Sequence, residues 1–275
     1  MIHSYPCIIP LGNIGLRLPN ALQMLQYLDA NVLLVEYRGY GDSDDAHVNE
    51  AGLKLDAEAA LRFIQTHPRV DPNQIFLFGR SLGGSVAFHL AMHAEQKGIP
   101  IAGVMVENTF LSIAAMVDTL MPYVAPFKSL ILRIEWNSKM IVPHLTTPIL
   151  YLAGADDQLV PHEHMLELYK QSKSSRLLQM HIIPGGTHNE SWLQGGPEYW
   201  QKMKEFMQQA ILTEPVGNTP IPSQTYAGAS MSSSTAYSTP SKTPVDIPLM
   251  PKRFLMSGFG GIKGDHEGTP AKKEN

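Results

Sequence analysis

The sequence predicts an α/β fold, a mostly parallel sheet with helices on both faces. Three observations carry that prediction. Short apolar runs without polar alternation, such as Ile75-Phe76-Leu77-Phe78, are what strands buried on both faces look like. Longer segments between them place apolar residues at helical spacing. The two kinds of segment alternate along the chain instead of being segregated.

Residues 32–37 read as the first clear strand, closed by the glycine turn Gly39-Tyr40-Gly41. A helix follows from Asn49, whose short side chain suits an N-cap, and Leu53, Leu55, Ala59, Ala60, Phe63 and Ile64 recur along it until His67-Pro68 ends the pattern. Residues 75–78 give the next strand, and a helix from Ser85 to about Lys97 is closed by Gly98. Residues 101–106, 148–153 and 177–183 supply three further strands, and helices near 163–171 and 198–212 complete the set. Residues 120–137 depart from the alternation: Tyr123, Phe127, Leu130 and Trp136 make the stretch apolar, while Pro122 and Pro126 break it. It reads either as a cap-like insertion over a pocket or as an ordinary packing helix. From Thr213 onward Pro, Gly, Ser and Thr dominate and periodicity vanishes, so residues 213–275 are expected to form a disordered tail. The expected organisation is an aberrant segment 1–11, a folded domain 12–212 and that tail.

With 21 Lys plus Arg against 25 Asp plus Glu in 275 residues, the net charge of -4 offers no basic footprint, and nucleic acid is not expected as a partner. The single cysteine, Cys7, excludes an internal disulfide and a cysteine-based zinc site. No apolar run approaches the roughly 20 residues of a membrane-spanning helix, and the amino terminus lacks the basic start and apolar stretch of a secretory signal. A cytoplasmic location is expected for the chain as it stands, with peripheral membrane contact through the 120–136 stretch left open.

Gly79-Arg80-Ser81-Leu82-Gly83 matches G-x-S-x-G between a strand and a helix. In that setting the pattern has a mechanical meaning: a sharp bend lifts Ser81 above the strand ends, and the glycines let helix and strand approach closely. The helix start places partial positive charge beside Ser81, with the Leu82 N–H positioned for a developing oxyanion. A plain glycine turn is the alternative reading. A serine hydroxyl needs a base to take its proton, and the base needs a partner that fixes its tautomer. The loop after residues 148–153 holds Asp156-Asp157, and the loop after residues 177–183 holds His188. The order Ser, Asp, His, all at the carboxyl edge of the sheet, is that of an alpha/beta hydrolase. His188 is the expected base. Asp157, in a Gly-x-x-Asp-x-x-Val-Pro context, is preferred over Asp156 as its orienting carboxylate.

Glu107 is a further candidate acid, with hydrogen bonding to the backbone around Asn108-Thr109 as its alternative role. His162-Glu163-His164 lacks the spacing of a zinc-binding helix and reads as the exposed start of a helix, and His89 and His93 read as ordinary helix-face residues. The stretch Arg38-Gly39-Tyr40-Gly41-Asp42-Ser43 reads as a turn shaping the edge of the site. No cofactor and no metal are expected.

Several longer strings are more specific. Gly12-Asn13-Ile14-Gly15, Arg17-Leu18-Pro19-Asn20-Ala21-Leu22, Leu33-Leu34-Val35-Glu36-Tyr37-Arg38-Gly39-Tyr40-Gly41, Ile75 through Gly84, Val106-Glu107-Asn108-Thr109-Phe110-Leu111-Ser112-Ile113 and Gly185-Gly186-Thr187-His188-Asn189 resemble the Bem-type serine hydrolases, the alpha/beta hydrolase domain-containing protein 13-like group, over about residues 12–210. The resemblance implies an alpha/beta hydrolase fold, a triad of Ser81, Asp157 and His188, and cleavage of an ester or thioester. Depalmitoylation among more distant relatives makes an acylated protein a conceivable substrate beside a small acyl ester. Where the group carries His-Gly-Asn-Ala, this chain has Ile8-Ile9-Pro10-Leu11, so the position of the second oxyanion donor falls to Pro10, which has no N–H. Pro6 and Pro10 also disfavour a central strand. The group's opening antiparallel strands and membrane anchor find no counterpart, so the first strands are expected to be missing or degenerate, as in a truncated front end. A membrane-anchored location follows if a further segment precedes Met1. The alternative to catalysis is a weak or inactive member that works by binding or as a scaffold.

Overall fold

Six strands in the computed structural model form one sheet, ordered β2-β1-β3-β4-β5-β6. They are β1 (Tyr5–Leu11), β2 (Ala30–Glu36), β3 (Phe76–Arg80), β4 (Gly103–Glu107), β5 (Ile149–Gly154) and β6 (Leu178–Ile183). Every pairing among them is parallel. Residues 5–11, 14–44, 46–120 and 134–213 are described; of 5–11 and of Leu16 only the backbone is. The core of the 120–137 stretch, residues 121–133, and the expected tail from 214 onward lie outside them.

The chain runs from β1 outward to β2 and then crosses back to β3 on the other side of β1. That reversal makes the carboxyl ends of β1 and β3 a switch point, where open α/β sheets bind ligands. The helices α1 (Leu18–Tyr27), α2 (Glu50–Gln65), α3 (Leu82–Lys97), α4 (Ile113–Leu120), α5 (Ser138–Ile141), α6 (Glu163–Gln171), α7 (Ser191–Gln194) and α8 (Gly196–Leu212) supply the crossovers and the two covering layers.

Side-chain alternation along the central strands explains their uninterrupted apolar character. Leu77, Val104, Val106, Ile149 and Tyr151 pack into one core with residues of α2, α3 and α6. Phe76, Phe78, Met105, Leu150 and Leu152 pack into the other, with Met24 and Leu28 and with Tyr199, Trp200, Met203 and Phe206 of α8. Each large side chain fully removed from water contributes about 1.5–3 kcal/mol.

Sequence expectations change at three places in the fold. Residues 5–11 form a strand at the interior of the sheet, despite Pro6 and Pro10. β1 pairs with β2 along its full length, from Tyr5↔Ala30 to Leu11↔Glu36, but with β3 only at Cys7↔Phe76 and Ile8↔Leu77. Strand backbone groups alternate sides, and the prolines are four residues apart, so both missing N–H groups fall on one side. One ladder can then stay complete while the other is thinned. The second change is in α2. Its N-cap is Asn49, whose Oδ1 accepts the Gly52 N–H at 2.8 Å. The helix buries Leu53, Ala57, Leu61 and Ile64, whereas Leu55 and Phe63 are more than half exposed. The buried stripe follows i, i+4, i+8 and i+11, and Leu55 and Phe63 fall off it.

Helix α3 begins at Leu82, three residues before the expected start, because the strand turns directly into it at Ser81. A Cβ on Gly79 would overlap the Gly83 carbonyl, and one on Gly84 would come within 2.5 Å of Thr109 Cβ. These two glycines are therefore required by close approach. The exit of the 120–137 stretch is tied to the start of α2: the Glu135 and Trp136 N–H groups donate to Glu50 Oε2 at 2.7 and 3.2 Å. Trp136 itself is buried.

Candidate active site

Ser81 stands at the junction of β3 and α3 with φ 54° and ψ -124°, a conformation rare for a residue with a side chain. Such strain costs of order 1–3 kcal/mol and persists where its surroundings over-determine it. Here the Ser81 N–H donates to the Glu107 carbonyl at 2.9 Å, and the Ser81 carbonyl accepts from Thr109 Oγ1 at 2.7 Å and from the Gly84 N–H at 2.9 Å. The Leu82 N–H, first in the helix, has no intrahelical acceptor.

Asp157 lies in the bend after β5 and is buried. Its Oδ1 accepts the backbone N–H groups of Leu159 and Val160 at 2.9 and 2.8 Å, which fixes the carboxylate. Its Oδ2 is 2.8 Å from His188 Nδ1, so the ring presents Nε2 as its remaining nitrogen. Asp156 is exposed, and its N–H donates to the Gly186 carbonyl, linking the two loops. Ser81, Leu82 and His188 line one cavity of about 300 Å³ together with Arg17, Tyr37 and Tyr40. No hydrogen bond joins Ser81 to the His188 ring among the described residues, a looseness common before substrate is bound.

The structure separates the other candidates from this centre. Glu107 is fully buried, but its carboxylate pairs with Arg80, at 2.8 Å from Nε and 2.7 Å from Nη2, and accepts the Tyr199 hydroxyl at 3.2 Å. It neither faces His188 nor bonds the loop backbone. That second task falls to Asn108, which sequence reasoning did not single out. Asn108 Nδ2 donates to the carbonyls of Thr187 and His188 at 3.1 and 3.2 Å and to Ser191 Oγ at 3.0 Å, while its Oδ1 accepts the Gly154 N–H at 2.8 Å. One amide thus ties the end of β4 to the end of β5 and to the histidine loop. The only trace in the sequence is a polar Glu-Asn-Thr run at the end of an apolar strand. Arg80 adds a second tie, with Nη1 donating to the Asn189 carbonyl at 3.2 Å.

His164 is buried rather than exposed, and its Nδ1 accepts the Leu111 N–H at 3.3 Å. Burial holds its pKa below the ordinary value. His89 and His93 both meet Glu58 of α2, at 3.1 and 3.4 Å. Pro10 falls within β1, opposite Val35. Among the described residues there is no group of three or more His, Cys, Asp or Glu able to hold a metal ion. None of their helices is long and apolar enough to cross a membrane.

Comparison with known proteins places this arrangement. Residues 15–148 match the model of the alpha/beta hydrolase family. The alpha/beta hydrolase domain-containing protein WAV2 of Arabidopsis thaliana is 34% identical over 210 residues, covering 72% of this chain and 67% of that protein. Protein bem46 of Schizosaccharomyces pombe is 34% identical over 205 residues, covering 74% and 66%. YNL320W of Saccharomyces cerevisiae, named an uncharacterized membrane protein, is 34% identical over 198 residues, covering 71% and 67%. The chain thus spans about two thirds of the length of these relatives. Among solved structures, an esterase/lipase from an uncultured bacterium shares the fold with a TM-score of 0.58 at 16% identity, covering 76% of this chain and 78% of that one. The Pyrococcus furiosus esterase PF2001 does so with a TM-score of 0.57 at 18% identity, covering 76% and 82%. The chain belongs to the alpha/beta hydrolase family, in its Bem46 group.

Proposed function

We propose that this chain is a serine hydrolase that cleaves an ester or thioester. Ser81 attacks the acyl carbonyl as His188 Nε2 takes the hydroxyl proton. Asp157 holds the Nδ1–H tautomer and stabilises the imidazolium as it forms. The Leu82 N–H and the positive end of α3 stabilise the oxyanion. His188 then protonates the departing alcohol or thiol, and water, activated by the same ring, hydrolyses the acyl-serine. Membership in a hydrolase family supports the reaction class. The observation that carries the assignment is the 2.8 Å contact of His188 with buried Asp157 beside a cavity that Ser81 lines. A fluorophosphonate probe should label the protein, and Ser81→Ala should abolish labelling; equal labelling of both forms would refute the assignment.

A second reading, a weak or inactive member that works by binding, is favoured by one observation. Pro10 lies near the end of β1, where the family resemblance puts the second oxyanion donor, and it has no N–H to offer. Pro10→Asn separates the two: faster hydrolysis of a p-nitrophenyl ester indicates a working triad short of one donor, and inactivity in both forms indicates the binding role. The relative named as a membrane protein supports membrane attachment of the whole protein, which co-flotation of the full-length protein with liposomes would test.

A further inference from the structure

The cavity beside Ser81 contains a cation and a hydroxyl that the triad does not use. Arg17 stands just before α1, half-buried, and its guanidinium makes no hydrogen bond or ion pair with any described residue. Tyr37, at the end of β2, is 3% exposed, and its hydroxyl has no hydrogen-bond partner among the described residues. Leaving such a buried donor unpaired is unfavourable, because the hydroxyl has lost its water without gaining a partner.

Each neighbouring carboxylate has another partner, although Glu107 Oε1 is buried without a hydrogen bond among the described residues. Glu107 is held by Arg80, Asp56 by Arg38 in a bidentate pair with its shortest contact at 2.7 Å, and Asp157 by His188. Arg17 is pulled below its usual pKa first by burial and next by the Arg80 charge, with Glu107 opposing. The Arg80–Glu107 pair therefore gives Arg17 no net attraction. Burial, aided by the Asp56 charge, keeps the Tyr37 phenol protonated and able to donate. With Arg80 paired to Glu107, Arg17 is the lining cation without a carboxylate partner among the described residues, and the Tyr37 hydroxyl beside it is an unused donor.

We propose that Arg17 and Tyr37 form an anion subsite beside Ser81, so that the preferred substrate is an acyl ester or thioester bearing a carboxylate or phosphate close to its scissile carbonyl. This rests on the serine hydrolase reading for its catalytic half only. The anion sits on the guanidinium, a phenolic O–H donates to the same group, and the acyl carbonyl is delivered to Ser81.

The test compares matched substrates. In the carboxylate arm, 4-nitrophenyl hemiglutarate is set against neutral 4-nitrophenyl pentanoate; in the phosphate arm, 2-(acetylthio)ethyl phosphate is set against 2-(acetylthio)ethanol. The anionic member of at least one pair should have a kcat/KM about 10- to 100-fold higher, the range of one charge-assisted hydrogen bond. The arm showing the preference identifies the anion. Arg17→Gln should collapse the ratio toward one, Arg17→Lys should keep most of it, and Tyr37→Phe should reduce it in part. No preference in either arm, or a ratio unchanged by Arg17→Gln, would overturn the subsite while leaving the hydrolase assignment standing. Binding separates the two questions. Calorimetry on Ser81→Ala protein should show 4-nitrophenyl hemiglutarate binding that Arg17→Gln weakens about tenfold or more. Arg17-dependent binding by a chain that hydrolyses none of the four compounds would keep the subsite and refute the hydrolase. Equal affinity with and without Arg17, or no binding, would overturn the subsite.

Discussion

Two strand ends meet at the switch point of this sheet, and they are built in opposite ways. At the end of β3 the chain turns on Ser81 in a strained conformation held by three backbone-directed hydrogen bonds, with Gly79 and Gly84 admitting close contact. At the end of β1 the corresponding position is Pro10, which holds its place in the ladder to β2 but has no N–H for a substrate oxygen. On the proposed mechanism, nucleophile placement and oxyanion stabilisation are separable: the sheet forms around β1 and brings Asp157 to His188 whatever backbone donor the end of β1 provides.

The largest expected effect probes the intact side. Asp157→Asn should lower ester turnover by about 10⁴-fold, because the imidazole is then held in the wrong tautomer; steady-state kinetics with a loss under tenfold would show that the buried contact is structural. Repair of the other side comes next. Pro10→Asn should raise kcat by about 10²- to 10³-fold, the worth of one oxyanion donor. An unchanged kcat in a folded variant would show that the comparison misplaces the defect. Asn108→Ala should destabilise the fold by about 1–3 kcal/mol in urea unfolding, since it leaves the Gly154 N–H and the Thr187 and His188 carbonyls without that partner. It should also lower kcat more than it raises KM, because the histidine loop loses its tether.

The smallest effect is on pH dependence. His89 and His164 are held below the ordinary histidine pKa, in both cases chiefly by burial. The unfolded chain therefore binds more protons as pH falls below about 6.5, the unperturbed histidine value. Stability from these groups is complete above that value and is lost as pH falls through the depressed folded values. Unfolding curves at pH 7.5 and pH 5 should show this loss, and His164→Asn should shrink it.

Much of this was legible in advance, and the failures are instructive. The strands β3 to β5 announce themselves because residues buried on both faces form largely unbroken apolar runs, whereas β6, with Gln179 and His181, is only partly buried. Helix α2 was legible in extent but not in face: Leu55 and Phe63 are apolar yet exposed, and only the packing partner decides which stripe is buried. β1 was misjudged because proline's cost depends on which side of a strand loses its donors. Asn108 was missed because a single amide joining three strand ends has no local pattern.

The residue types of the candidate site, their chain order and the strand-to-helix turn at Ser81 are properties of local sequence, since steric limits on φ and ψ and the two- and 3.6-residue periodicities act over a few neighbours. Which aspartate meets His188, which amide binds the loops together and which cation is left unpaired in the cavity were decided by tertiary structure. Those outcomes depend on contacts between segments 30 to 80 residues apart, such as Asp157 with His188 and Asn108 with the histidine loop. Burial there makes each pairing decisive: in a low-dielectric interior a polar group left without a partner is costly, so the pairs that the fold brings together are strongly favoured.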